Sequence, residues 1–355
     1  ACGGVPALGP LYLAETAPAA RRGLYTASFQ LSTCTGVMLA YLVGLAPASL
    51  ALPLWAVMAW GGALLGAGLL CGLLGAPESP GWLLSHGRRS EALGALKVLR
   101  GGIEAAQREL AILEDEAVRN SAQLEQAGSS PADILTTGAW QLWPMAIGVA
   151  VCVLQQLSGI NSFIMFTDIV LDSRSLGAAV MVVQAVATVV STALMDRLGR
   201  RTLLFASGIL MMASSGLLGV QFRNLKKGAR PPSQAVATAC IVVYIVGFAL
   251  GVGPIPWILN GEIFPKKVRA VASSLATCAN WIFAWLVVWS FDRLQDWSPS
   301  GTFYLYSGAC AIIVAFAAFV VPETMGKSLD EIESLFLRGT AANDKLAMKK
   351  EHASA

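Results

Sequence analysis

Apolar residues gather into runs of about twenty along this chain, parted by short polar stretches, and no alternating strand-like pattern competes with them. The runs cover 24–45, 52–75, 142–170, 175–195, 202–220, 235–259, 270–291 and 302–321, with a shorter one at 1–13. Crossing a hydrocarbon core of ~30 Å takes a helix of ~20 residues, so each full run predicts a span. Between 77 and 140 the pattern turns charged and amphipathic, which predicts surface helices over 88–99 and 104–125. From 322 onward the chain is hydrophilic apart from one amphipathic piece, SLDEIESLF. The expected organisation is therefore a helical bundle over 1–76, a cytoplasmic linker over 77–140, a second bundle over 141–321 and a tail over 322–355.

Composition agrees with an all-α membrane protein. Of 355 residues, 55% are hydrophobic and 13% charged, with mean hydropathy +0.61, against ~25% charged residues in a soluble domain. Lys and Arg number 19 in the loops on one side of the spans and 6 on the other. The positive-inside rule makes the first side, with the C-terminus, cytoplasmic. A net charge of +3 without a basic groove gives no reason to expect nucleic acid. The seven cysteines, at 2, 34, 71, 152, 240, 278 and 310, read as small apolar residues of helices rather than as a disulfide or metal framework. His86 and His352 both sit in hydrophilic stretches, away from any span centre.

Two motif pairs recur at almost one offset. ETAPAARRG carries Glu15, Pro18 and Arg22 in an E-x-x-P-x-x-x-R pattern, and EIFPKKVRA repeats it at Glu262, Pro265 and Arg269, 247 residues later. PESP, with Glu78, recurs as PETM, with Glu323, 245 residues later. A duplicated bundle explains both. Carried backwards from Trp140, the offset predicts about 105 further residues before Ala1, holding three spans and most of a fourth of a 6 + 6 bundle.

Within the spans, polar residues follow helical spacing. Thr26, Gln30 and Thr33 share one face, as do Gln184, Thr188 and Ser191, and Ser273, Thr277 and Asn280. In LQQLSGINSF, residues 154–163, Gln155, Ser158, Asn161 and Ser162 fall within an arc of ~120° at ~100° per residue. Gln156 falls off that arc, which predicts either local unwinding at Gly159 or a different neighbour. Serine and threonine can bond to their own helix, but a carboxamide on each of four spans predicts a shared polar cavity. Carboxamides donate and accept, as hydroxyls do, and no Asp, Glu, Lys, Arg or His lies near the middle of a visible span. The ligand they fit is neutral and hydroxyl-rich: a sugar or polyol.

GFALGVGPIPWILNGE, 247–262, predicts a helix broken at Gly251, Gly253, Pro254 and Pro256, with Trp257 offering an indole face to a sugar ring. The charged residues Glu15, Arg22, Glu78, Asp196, Arg197, Arg200, Arg201, Glu262, Arg269 and Glu323 lie at cytoplasmic span ends. Ion pairs among them that form in one state only would latch a conformational equilibrium. There is no nucleophile–base constellation, phosphate loop or metal cluster, so neither an enzyme nor a cofactor is expected.

The motifs ETAPAARRG, PESP, QQLSGIN, DRLGRR, GPIPW, EIFPKKVR, the Asn280–Trp281 pair and PET resemble those of the sugar porter family of the major facilitator superfamily, from about Gly3 to Phe336. GFALGVGPIPW followed by EIFP resembles most the intracellular facilitative hexose carriers of animals and the vacuolar monosaccharide carriers of plants. The resemblance implies a 6 + 6 helical bundle that carries a monosaccharide, such as glucose, by alternating access through a plasma or vacuolar/endolysosomal membrane. It places Gln30, Gln155, Gln156, Asn161, Trp257 and Asn280 on sugar-binding positions, with Trp281 lining the pocket and Gln184 standing where many members have Asn. Departures from the family pattern are Gly81 for the Arg after PESP, Met325 for the Lys of PETKG, Ala249 for an acidic residue, and Met165–Phe166 for an outer aromatic pair. Lack of an acid in the visible spans favours facilitated diffusion. The alternatives are a proton-coupled symporter, a non-transporting sugar sensor and an inactive truncated product.

Overall fold

The computed structural model describes residues 8–9, 12–13, 15–18, 22–45, 53–125, 139–171, 173–226, 234–264, 268–327, 331–332 and 336. Among these, the elements are helices: α1 (Arg22–Gly44), α2 (Leu54–Gly75), α3 (Pro80–Ser85), α4 (Arg89–Arg100), α5 (Ile103–Glu125), α6 (Ala139–Leu157), α7 (Ile160–Leu171), α8 (Arg174–Leu198), α9 (Arg200–Lys226), α10 (Gln234–Gly247), α11 (Ile255–Ile263), α12 (Arg269–Trp297) and α13 (Pro299–Phe319). A π-helical turn, Phe248–Val252, joins α10 to α11. Among the described residues, seven spans are long and apolar enough to cross a membrane, running from Leu54–Gly75 to Pro299–Phe319. Helix α1 has spanning length but carries Ser28, Gln30, Ser32, Thr33 and Thr35, and is not among the seven.

The chain divides into two compact units, one made of the described residues of 27–45 and 138–355, the other of those in 8–26 and 46–137. In the smaller unit, Leu83, Ala92, Ala95, Leu96, Ala106 and Leu110 of α3–α5 form a buried apolar cluster. This is the core expected of amphipathic surface helices. Ser79 caps α3 by accepting from the Trp82 amide at 3.3 Å, and Gly101 (φ 70°) ends α4. Arg100 meets Glu109 at 2.5 Å and donates to the Thr16 carbonyl at 2.9 Å, tying the helices to the ETAP segment. Helix α2 buries no residue within this unit.

The larger unit holds the broken helices. The sequence-predicted unwinding lies at Ser158–Gly159, between α6 and α7, where Gly159 takes φ +91°. A Cβ there would stand 2.6 Å from the Tyr306 ring, so both backbone sign and space require glycine. Tyr244 donates to the Ser158 carbonyl at 2.7 Å, satisfying a group that the break releases.

The second break follows from its prolines. In a continuous helix, the residue-254 amide would serve the carbonyl of Leu250 and the residue-256 amide that of Val252, but Pro254 and Pro256 have no N–H. Side chains from neighbouring helices fill both vacancies. Ser191 of α8 donates to the Leu250 carbonyl at 2.8 Å, and Gln155 of α6 donates to those of Val252 and Gly253, each at 2.8 Å. Ser207 of α9 adds a bond to the Gly247 carbonyl at 2.6 Å and accepts from the Val252 amide at 3.0 Å. A bilayer offers no water to unpaired backbone groups, so such breaks survive only where protein satisfies them.

Candidate functional site

Four carboxamides meet in the larger unit. Gln155 and Gln156 end α6, Asn161 begins α7 and Asn280 lies mid-way along α12. Asn280 Nδ2 donates to Gln155 Oε1 at 2.8 Å and to the Cys152 carbonyl at 3.1 Å. Gln156 Nε2 donates to Asn280 Oδ1 at 3.1 Å and to Gln155 Oε1 at 3.3 Å. Across the Gly159 break, Asn161 Nδ2 donates to Gln156 Oε1 at 2.6 Å. The unwinding and a different neighbour thus both apply to Gln156: α12 supplies its acceptor, and the turned backbone brings Asn161 back to it. Among the described residues, the partners in this cluster are backbone carbonyls and carboxamides, and none is ionic.

A second polar group joins α1 to α8. Gln30 Nε2 lies 3.5 Å from Cys34 Sγ, and Thr188 Oγ1 lies 3.4 Å from the same thiol while bonding to the Gln184 carbonyl at 2.9 Å. Gln184 is 3% exposed, and its Oε1 has no hydrogen-bond partner among the described residues. Trp257, at the head of α11, is partly buried and meets Phe29 of α1 edge-on, with centroids 6.2 Å apart. Trp281 follows Asn280 on α12 but has an exposed side chain. The structure therefore links Gln155, Gln156, Asn161 and Asn280 directly, joins Gln30 and the Gln184 turn through Cys34 and Thr188, and leaves Trp281 outside these contacts.

At the foot of the same unit, Glu323 caps α9. Its carboxylate accepts from the Arg200 amide at 3.0 Å and the Arg201 amide at 3.1 Å, where a helix N-terminus favours negative charge. Gly199 (φ +82°) makes room, since a Cβ there would stand 2.5 Å from Glu323 Oε2. Arg200 pairs with Glu262 of α11 at 3.1 Å, and Thr324 donates to the other Glu262 oxygen at 2.6 Å. Arg201 reaches the carbonyls of Ala317 and Ala318, and Arg269 that of Phe264. Of the remaining charged candidates, Glu15 and Arg197 are exposed. Glu78 accepts from the adjacent Ser79 amide at 3.0 Å. The side chains of Arg22 and Asp196, like that of Phe166, lie outside the described residues.

Sequence reasoning missed Asn260. This α11 carboxamide is 5% exposed and donates from Nδ2 to Cys152 Sγ at 3.2 Å, while its Oδ1 has no partner among the described residues. The signal was present, a carboxamide three residues beyond Trp257 in WILN, but no other polar residue shared its helical face to draw attention to it.

Comparison with known proteins identifies the chain. The profile of the "Sugar (and other) transporter" family matches residues 1–336. The chain belongs to this family. Sugar transporter ERD6-like 6 of Arabidopsis thaliana is 36% identical over 339 residues, covering 92% of this chain and 67% of that protein. The solute carrier family 2 facilitated glucose transporter member 8 of Mus musculus is 32% identical over 361 residues, covering 95% of this chain and 72% of that one. Among solved structures, the major facilitator superfamily proton:xylose symporter XylE, bound to 6-bromo-6-deoxy-D-glucose, superposes with a TM-score of 0.73 at 26% identity, covering 93% of this chain and 70% of that chain. The chain is thus a sugar porter of the major facilitator superfamily, an integral membrane transport protein and not an enzyme.

Proposed function

We propose that this porter carries a monosaccharide, a hexose such as glucose, by facilitated diffusion and alternating access. The observation that carries the reading is the uncharged carboxamide cluster of Gln155, Gln156, Asn161 and Asn280, whose members hydrogen-bond to one another. Sugar hydroxyls, which donate and accept, replace those bonds one for one, so binding exchanges hydrogen bonds rather than stripping bare charges. That exchange keeps affinity low: at ~1 kcal/mol per net bond, three or four bonds give ~4 kcal/mol and a millimolar site. Such weak holding suits a carrier, which must also let go.

Gln184 and Gln30 face the same sugar from α8 and α1, Gln184 offering the acceptor it leaves unpaired, while Trp257 covers the apolar face of the ring and Trp281 flanks it. The Arg200–Glu262 pair and the Glu323 cap hold the cytoplasmic ends of α9, α11 and the segment after α13 together in one state, and their release lets the site open. The C-terminus faces the cytoplasm, as the Lys and Arg distribution supports, and the membrane is plasma or vacuolar/endolysosomal. The 77–140 segment acts as the cytoplasmic linker between the bundles at 1–76 and 141–321.

Two observations favour diffusion over proton coupling: the cluster contains no carboxylate, and one of the relatives is named a facilitated glucose transporter. The test is glucose counterflow in proteoliposomes of the full-length protein, with and without an inward proton gradient. Exchange that ignores the gradient supports the reading. Uphill accumulation driven by it makes the protein a symporter, and absence of both exchange and binding leaves the sensor or an inactive product.

A further inference from the structure

The Asn260 carboxamide sits one residue away from the sugar cluster in bonding terms. Cys152 is the joint: its carbonyl accepts from Asn280 Nδ2 at 3.1 Å, and its thiol accepts from Asn260 Nδ2 at 3.2 Å. Along α11, Asn260 follows Trp257 by three residues, about 4.5 Å of rise and nearly one turn, on the side leading to Glu262. Its Oδ1 is buried and has no donor among the described residues. Gly148 of α6 gives that oxygen its room, because a Cβ at 148 would stand 2.5 Å from it.

A buried acceptor without a donor destabilises the fold that contains it. An apolar side chain at 260, beside Gly148 and Cys152, would not carry that cost. The carboxamide is held by one end only, and the free end is the acceptor. We infer that Asn260 is a further specificity-determining residue of this porter, whose Oδ1 accepts one hydroxyl of the sugar as α11 moves and the sugar passes inward from the Gln155–Asn280 cluster. The chemistry selected is a hydroxyl donor on the ring or its exocyclic carbon, and an analogue that lacks it is discriminated against there. This inference rests on the hexose reading above.

The test pairs the residue with the sugar. Inhibition constants of glucose and its 2-, 3-, 4- and 6-deoxy analogues against labelled glucose are measured for the full-length wild type and for Asn260→Leu. In the wild type, the deoxy analogue that lacks the Asn260 partner binds about tenfold more weakly than glucose. In Asn260→Leu that ratio collapses toward one for that analogue alone, while the other three ratios stay unchanged. Asn260→Thr, which retains an acceptor oxygen, keeps part of the discrimination, and Asn260→Ala reads the same ratios if the leucine variant fails to fold. Identical ratios in wild type and variants overturn the inference and assign the acceptor to water or to packing. If wild-type protein neither binds nor carries glucose, the hexose reading itself fails and takes this inference with it. Those two failures are distinct, since the first leaves wild-type binding intact.

Discussion

Gln155 and Gln156 are neighbours in sequence and both contact Asn280, yet they should fail in different ways when replaced by leucine. Gln155 Nε2 spends both hydrogens on backbone carbonyls of the proline break, and Pro256 leaves Val252 without an in-helix donor. In Gln155→Leu that buried carbonyl is orphaned, at about 1–3 kcal/mol, and the bonds from Asn280 and Gln156 to Oε1 add ~1 kcal/mol. A total of about 3 kcal/mol in a unit of this size lowers Tm by roughly 10 °C. Gln156 bonds only to other carboxamides: leucine there leaves the buried Asn280 Oδ1 without that donor and frees the Asn161 amide, which is only partly buried. Gln156→Leu should therefore cost about 1–2 kcal/mol and roughly 5 °C, less than Gln155→Leu, which also strips the backbone at the break. Both variants should lose glucose affinity by about tenfold, one net hydrogen bond to a hydroxyl. Thermal unfolding in detergent, read alongside equilibrium glucose binding at a temperature where both are folded, separates the two effects. Equal Tm losses in the two variants would refute the assignment of Gln155 to the break, and wild-type affinity in either would remove it from the sugar site.

Gly159→Ala meets both a positive φ and the Tyr306 ring, and should lower Tm by several degrees, at about 1–2 kcal/mol, with weaker sugar binding because Asn161 is turned away; a fluorescence melt and a binding isotherm check it. Glu323→Gln keeps one acceptor for the α9 amides but loses the charge at the helix N-terminus, and should cost ~1 kcal/mol, read by chemical denaturation. Arg200→Met removes the pair with Glu262 and should shift the conformational equilibrium, seen as altered counterflow rate at unchanged glucose inhibition constant; an unchanged rate rejects the latch.

Helix positions were legible because the bilayer makes span length and hydropathy nearly deterministic. The 88–99 and 104–125 helices were legible for a different reason, the repeat of Ala and Leu at helical spacing that became the Leu96–Leu110 cluster. The Gly159 break could be read because Gln156 lay off the polar arc, a mismatch that only unwinding or a new partner resolves. Partner identity was harder. Nothing in QQLSGIN says that Gln155 serves two carbonyls ninety-odd positions away, since that pairing depends on which helix packs beside the proline break. Ser191 appeared as one member of a polar face, yet its hydroxyl serves the Leu250 carbonyl. The Glu323 cap was legible only as a charge at a span end, because the donating amides belong to α9, more than a hundred residues earlier.

Pro254, which caps α11, and Pro256 in its first turn connect these findings. By removing amides at 254 and 256 they create carbonyl acceptors that Gln155 and Ser191 fill, so a side chain of the carboxamide cluster, the proposed sugar site, also secures the break. A hydroxyl that competes for Gln155 Oε1 or draws Gln155 aside therefore acts on the same residue that secures the π-helical turn. Immediately beyond that turn α11 carries Trp257, Asn260 and Glu262 in succession, the last paired with Arg200. Within nine residues the helix thus bears the indole proposed to cover the sugar ring, an acceptor without a partner among the described residues and one half of a charge pair, all downstream of one break in the backbone. A ligand can bias such an element only through differential contacts in its two positions, and the shared use of Gln155 supplies one.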